Sequence, residues 1–131
     1  MDINILLFLL WRILFGGYFV MSGLNHLTKL EAMTGYALSK GVKPAKPAVV
    51  ISGLMIILGG AGLLLGLKIG WSVGLIASFL ILVTFKMHAF WKVPDPNYQL
   101  IEKVNFMKNL ALLVAVLMML MITAWPASYG G

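Results

Sequence analysis

The chain has 131 residues, of which 61% are apolar and only 11% are charged, and its mean hydropathy is +0.98. This composition excludes an ordinary soluble domain, in which about a quarter of the residues are charged. The net charge is +6, but the basic residues lie between long apolar runs, which is typical of a membrane protein. We therefore expect contact with the lipid bilayer and no nucleic-acid partner.

Four apolar segments reach the length of about 20 residues that a helix needs to cross the bilayer core. They run from Ile3 to Leu24, from Ala48 to Leu67, from Gly70 to Phe90 and from Val104 to Trp125. The first segment has neither the basic start nor the cleavage site of a signal peptide, so we interpret it as a retained span. The sequence predicts an all-α fold, a bundle of four transmembrane helices, with residues 1–131 forming a single membrane domain.

The first of the two long connections, residues 25–47, contains a short amphipathic pattern. Its apolar positions are Leu27, Leu30, Met33 and Leu38, interleaved with charged residues. This spacing predicts a short helix lying in the membrane interface, ended by Gly41 because glycine readily adopts the left-handed conformation that follows many helices. In the second long connection, residues 91–103, two prolines around Asp95 predict a turn that the third span cannot continue through.

One stripe of the first span is not aliphatic. Steps of three and four residues from Arg12 reach Gly16, Phe19, Gly23 and His26, which share one helical face. Arg12 lies about 14 Å along the span, near the middle of the bilayer, where an uncompensated charge costs at least about 2.5–3.5 kcal/mol. We therefore expect the stripe to face the interior of the bundle.

Glycines cluster where the second and third spans meet. They are Gly59, Gly60, Gly62 and Gly66, with Gly70 and Gly74 after the turn. Small residues at this spacing predict close packing of the two helices, and the GxxxG pair formed by Gly62 and Gly66 is also typical of a homo-oligomer face.

Polar residues of the other spans complete a candidate ligand site. His88 ends the third span, and Asn105, Lys108 and Asn109 share a face of the fourth. No span interior contains an acidic residue, so with Arg12 these side chains form a cluster rich in hydrogen-bond donors. Such a cluster favours a ligand that presents oxygen atoms, such as a quinone head group, a lipid phosphate or a small oxyanion. We predict that all five residues bind it, with Lys108 at the cavity mouth and Arg12 deepest.

The residues leave two alternatives open. In the first, the polar cluster only locks the helices of a non-catalytic structural or assembly subunit. In the second, His26 and His88, which end two spans on the same side of the membrane, ligate a haem. The chain has no cysteine, which excludes Cys-ligated zinc and iron–sulfur clusters, and we expect no covalent cofactor and no metal site.

Several motifs resemble the DoxX family of small four-helix membrane proteins. The first span matches as Arg12-x3-Gly16-x2-Phe19-x3-Gly23-x2-His26-Leu27, and the fourth as Phe106-Met107-Lys108-Asn109-Leu110-Ala111-Leu112. Further matches are Gly35-Tyr36-Ala37, Gly41-Val42-Lys43-Pro44, Ser52-Gly53, the glycine run from Gly59 to Gly66, and His88-x-Phe90-Trp91. The resemblance extends over nearly the whole chain, although the family often has lysine in place of His26.

This resemblance implies a membrane subunit for quinone-linked oxidation, as in thiosulfate:quinone oxidoreductase and terminal quinol oxidase assemblies. It implies a bound quinone as the ligand, oxidoreductase subunits as partners that supply electrons, and a prokaryotic plasma membrane as the location.

The lysines predict the orientation of the bundle. Eight lie on the side of the two long connections, namely Lys29, Lys40, Lys43, Lys46, Lys86, Lys92, Lys103 and Lys108, whereas the other side has only Lys68. The positive-inside rule therefore places both long loops in the cytoplasm and both termini outside. A reporter enzyme that is active only in the cytoplasm should be silent when fused after Gly131 and active when inserted in the first long loop. Activity of the C-terminal fusion would reverse the orientation.

Overall fold

The structure, a computed structural model, describes residues 2–128. This part of the chain forms five α-helices and two single 3-10 turns. The helices are α1 (Ile3–Thr28), α2 (Leu30–Ser39), α3 (Ala45–Leu65), α4 (Ile69–Met87) and α5 (Pro96–Met118), and the turns are Phe90–Lys92 and Met119–Met121. Four of the helices, α1, α3, α4 and α5, are long and apolar enough to cross a membrane. The predicted all-α fold with four spans is confirmed.

The spans pack in chain order. α1 packs most extensively against α3, α3 against α4, and α4 against α5, while the short α2 lies mainly on α3. Consecutive spans are antiparallel, so α1 and α4 end on the same side. Large apolar side chains on the outer faces are exposed, among them Leu14, Leu58, Trp71 and Leu82, which is the surface that a bilayer would cover.

The short helix of the first long connection is present as α2. It begins at Leu30, because Leu27 belongs to the longer α1. Gly41 has φ of 79° and ends the helix as predicted. The Gly41 and Val42 amides donate to the carbonyl oxygens of Leu38 and Ala37, which is the Schellman pattern of hydrogen bonds. The location of α2 in the membrane interface stays a prediction.

The fourth span differs from its predicted bounds at both ends. α5 begins at Pro96 and not at Val104, because the Asp95 side chain accepts a hydrogen bond from the Asn97 amide and proline suits the first helical turn. α5 also ends before the expected limit of about Trp125, at Met118. A proline at position 126 disfavours helix at the residue before it, and the chain folds back instead.

The stripe predicted on α1 is buried. Its members are Arg12, Gly16, Phe19, Gly23 and His26. A Cβ on Gly16 would lie 2.8 Å from the carbonyl oxygen of Gly60, and one on Gly23 would lie 2.5 Å from that of Gly53. The backbones of α1 and α3 therefore touch at two points, seven residues apart on each helix, and only glycine allows this approach.

The contact between α3 and α4 depends on fewer glycines than predicted. A Cβ on Gly62 would overlap the Ser72 hydroxyl, and one on Gly59 would lie 2.7 Å from Cγ1 of Ile76. Gly66 instead ends α3 in the left-handed conformation, with φ of 61°. The two glycines beyond the turn face open space and do not take part: Gly70 and Gly74.

Arg12, only 7% exposed, binds the C-terminal segment. Its Nη1 and Nη2 donate to the carbonyl oxygens of Pro126 at 2.7 Å and Ala127 at 3.1 Å, and the Ser128 hydroxyl donates to the Gly66 carbonyl. We call residues 125–128 the C-terminal strap. It ties the chain after α5 to α1 and to the end of α3, and its carbonyl groups help to compensate the buried charge.

The strap also corrects the expected depth of Arg12. A Cβ on Gly66, the residue that ends α3, would lie 3.1 Å from Nη1 of Arg12. The guanidinium therefore lies level with the turn between α3 and α4, and not halfway along the bundle. The reason is that the first residues of α1 extend past the turn between α3 and α4. Arg12, nine residues into α1, therefore lies level with the end of the shorter helix α3.

Gly62 and Gly74 provide a matched test of the glycine contacts. Gly62→Leu should lower the free energy of unfolding by about 1–3 kcal/mol, because the new side chain must displace Ser72 and separate α3 from α4. Gly74→Leu, at a position with open space around it, should leave stability unchanged or slightly raised. Thermal unfolding in detergent measures both, and equal stability of the two variants would contradict this packing.

Candidate functional site

A cavity of about 780 Å³ lies at the end of the bundle that carries α2 and the two long connections. We call it the loop-end cavity. All five helices contribute to its lining, and much of its wall is apolar, including Phe19, Val49, Phe79 and Leu80. Within the described residues α1 and α5 hardly contact each other, and the space left between them forms the cavity. Its volume is that of a typical ligand pocket.

Four of the five predicted site residues line this cavity. They are His88, which follows α4, and Asn105, Lys108 and Asn109 on one face of α5. The spacing of three and four residues brings the α5 side chains to the same side of the helix. The lining of the cavity therefore includes two side-chain amides, an ammonium group and an imidazole.

The structure does not bring Arg12 to the other four residues. It lies fourteen residues before His26 on α1, roughly 21 Å along the axis at 1.5 Å per residue. Arg12 lines a separate cavity of about 220 Å³ with Phe8, Phe15 and Trp125. Buried side chains such as Phe19 and Leu63 fill the interior between the two ends, so the expected single cavity running from Lys108 to Arg12 does not form.

An acidic residue contacts two lining residues of the cavity, Tyr36 and His88, contrary to the expected cluster without anions. Glu102 is only 3% exposed. Its Oε2 lies 3.0 Å from Nδ1 of His88 and 3.3 Å from Nζ of Lys40, and its Oε1 accepts a hydrogen bond from the Tyr36 hydroxyl at 3.1 Å. The expectation failed because Glu102 was assigned to the loop, whereas α5 begins at Pro96 and carries it into the bundle.

The sequence contains a signal that places Glu102 on the fourth span rather than in the loop before it. Asp95 followed by Pro96 is a typical helix start, and from there Glu102, Asn105 and Asn109 follow at steps of three and four residues. The acid therefore shares a helical face with the predicted amides. No local pattern, however, indicated that Tyr36 and Lys40 on α2 would contact it.

The groups around Glu102 balance its charge. Lys40 supplies a positive charge at 3.3 Å. Partial burial and then the nearby Glu102 carboxylate raise the pKa of Tyr36 to about 12, so its hydroxyl stays protonated and donates. The carboxylate thus links α2, α5 and the residue after α4 at the wall of the loop-end cavity.

The second histidine lines the same cavity from α1. Nδ1 of His26 lies 2.8 Å from the Ser22 carbonyl oxygen, and its ring meets that of Phe79 edge-on at 5.7 Å. Both histidines therefore lie at one end of the bundle, which was predicted because each ends a span on the same side of the membrane. In the part of the chain that the structure describes, no three His, Asp or Glu side chains gather to form a metal site.

Glu102 and Glu31 allow a controlled test of this network. Glu102→Gln should lower the free energy of unfolding by about 1.5–3 kcal/mol, since it weakens charge-assisted hydrogen bonds at a buried position. Glu31→Gln removes an exposed pair with Lys46 and should cost less than about 1 kcal/mol. Chemical unfolding in detergent compares them, and a Glu102→Gln variant as stable as Glu31→Gln would show that the buried network adds no stability.

Comparison with known proteins agrees with the resemblance seen in the motifs. The family model for DoxX matches residues 7–89, more than half of the chain. The match includes most of α1, then α2 to α4 and His88, while α5 with Asn105 and Asn109 lies outside it. No curated protein and no solved structure matches the chain. With four apolar helices suited to spanning a membrane, the chain is an integral membrane protein and belongs to the DoxX family.

Proposed function

We propose that this protein binds a membrane quinone in the loop-end cavity, as a subunit of a membrane oxidoreductase whose other subunits exchange electrons with that quinone. The observation that carries the proposal is one cavity of about 780 Å³ that combines an apolar wall with His88, Asn105, Lys108 and Asn109. Membership of the DoxX family supports it.

The cavity lining suits the chemistry of a quinone head group. A quinone presents two carbonyl oxygens on an otherwise apolar ring. The side-chain amides of Asn105 and Asn109 and the ammonium group of Lys108 are donors for such oxygens, while Phe79 and Leu80 offer apolar surface to the ring. This combination of a few polar groups in a mostly apolar pocket is typical of small-molecule sites.

The rim of the cavity suits an amphiphile with a long apolar tail. Tyr18 on α1 and Leu82 on α4 belong to the lining and are also exposed, at 50% and 66%. The cavity therefore reaches the outer surface of the bundle, where lipid would lie. An isoprenoid tail would remain in the bilayer while the head group occupies the cavity.

Asn109 and Asn25 provide the matched variants for a binding test. The full-length protein in detergent is titrated with a short-chain ubiquinone and a short-chain menaquinone by calorimetry. Asn109→Ala should weaken binding about five- to tenfold, equivalent to roughly 1 kcal/mol for a lost hydrogen bond. Asn25→Ala, an exposed position outside the cavity lining, should bind like the wild type, as should Arg12→Lys.

The same titration separates the proposal from its alternative. If neither quinone binds the folded wild-type protein and none is extracted from protein purified from its native membrane, the quinone proposal is wrong. A structural or assembly subunit would then be favoured. Weaker binding by Arg12→Lys at unchanged stability would instead relocate the site to the opposite end of the bundle.

A further inference from the structure

We infer that the loop-end cavity recognises the reduced, hydroxyl-bearing form of its ligand, a quinol, through two imidazole acceptors, His26 and His88. This inference rests on the proposed quinone binding and names the redox form that the site prefers. It reverses the role expected for His88 from the sequence, where it was a hydrogen-bond donor.

The partner of His88 fixes which of its nitrogen atoms carries the proton. The Glu102 carboxylate already accepts from the Tyr36 hydroxyl and from the Lys40 ammonium group. A carboxylate only accepts hydrogen bonds, so Nδ1 of His88, 3.0 Å away, must donate. In the neutral ring the proton is then on Nδ1, which leaves a lone pair on Nε2.

The partner of His26 has the same effect by a different route. Nδ1 lies 2.8 Å from the carbonyl oxygen of Ser22, one turn earlier on α1. A carbonyl oxygen cannot donate, so Nδ1 again carries the proton and Nε2 carries the lone pair. Because both histidines line the loop-end cavity, the polar atom that each can offer to a ligand is a hydrogen-bond acceptor.

Lysines also belong to the cavity and its surroundings. Lys40 forms an ion pair with Glu102 at 3.3 Å, and three further lysines line the cavity: Lys43, Lys86 and Lys108. An ammonium group only donates hydrogen bonds, and the oxygen of a quinone carbonyl or of a quinol hydroxyl can accept from it. The lysines therefore do not distinguish the two forms, whereas the Nε2 lone pairs of the neutral imidazoles do.

Two acceptors distinguish the redox forms of a quinone. A quinone carbonyl oxygen has only lone pairs, so facing Nε2 it forms no hydrogen bond and leaves that nitrogen desolvated, which is costly. A quinol hydroxyl donates to Nε2. Asn105 and Asn109 do not discriminate, because an amide both donates and accepts. The histidines therefore set the preference.

The protonation of the rings is tested first, without any ligand. The full-length protein is labelled with ¹⁵N-histidine, and its imidazole nitrogen shifts are recorded by NMR in detergent micelles near neutral pH. Both rings should show the form protonated on Nδ1, with the His88→Phe spectrum providing the assignment. Protonation of His88 on Nε2, or on both nitrogens, would overturn the inference, and so would a haem Soret band in the purified protein.

The ligand preference is tested by anaerobic titration with short-chain ubiquinol and the matching ubiquinone. The wild type should bind the quinol at least tenfold more tightly, and His88→Phe should reduce that ratio to less than threefold. Trp91→Phe introduces phenylalanine in the same connection but outside the cavity lining, and should retain the wild-type ratio.

The outcomes separate this inference from the proposed function. Equal or tighter binding of the quinone would overturn the quinol preference and leave quinone binding established. Absence of binding by both forms would overturn the proposed function together with the quinol assignment. If His88→Phe fails to fold, the wild-type affinity ratio and the NMR shifts still decide between the two forms.

Discussion

The close contact of α1 and α3 is the constraint on which the rest of the structure depends. Two glycine pairs, Gly16 with Gly60 and Gly23 with Gly53, let the two backbones touch, and this brings the largest shared surface in the bundle together. α4 then packs on α3, and α5 on α4, so the row of helices leaves α1 and α5 apart. The loop-end cavity occupies the space between them, and at the opposite end the C-terminal strap bridges it through Arg12.

The two ends of the bundle place their polar groups for different purposes. At the strap end, a guanidinium binds backbone carbonyl oxygens and holds a segment of chain in place. At the loop end, a carboxylate binds three side chains from different parts of the fold and orients one imidazole at the cavity wall. The first arrangement is a closed internal contact, whereas the second lies beside a cavity that is lined by polar residues and is large enough for a ligand. This contrast is why the proposed site is at the loop end.

The candidate site was predictable where it depended on one helix and not where it depended on several. The face shared by Asn105, Lys108 and Asn109 follows from helical spacing, and these residues line one cavity with His88. The inclusion of Arg12 failed because depth along a span depends on where the neighbouring helices begin and end. The expected lack of acid failed for a related reason. The fourth span was expected to begin at Val104, which left Glu102 in the loop. Because α5 begins at Pro96, Glu102 lies on the helix and is buried.

The sequence by itself determined the class of fold, the number of spans, the buried stripe of α1, the end of α2 at Gly41 and the family. Each follows from hydropathy, helical period or the local conformation of glycine and proline, which act over a few residues. Only the tertiary structure decided that Arg12 and His88 lie at opposite ends and that Tyr36 and Lys40 meet Glu102. Those features depend on contacts between residues far apart in the chain, and the register of packed helices, which no local pattern encodes, brings them together.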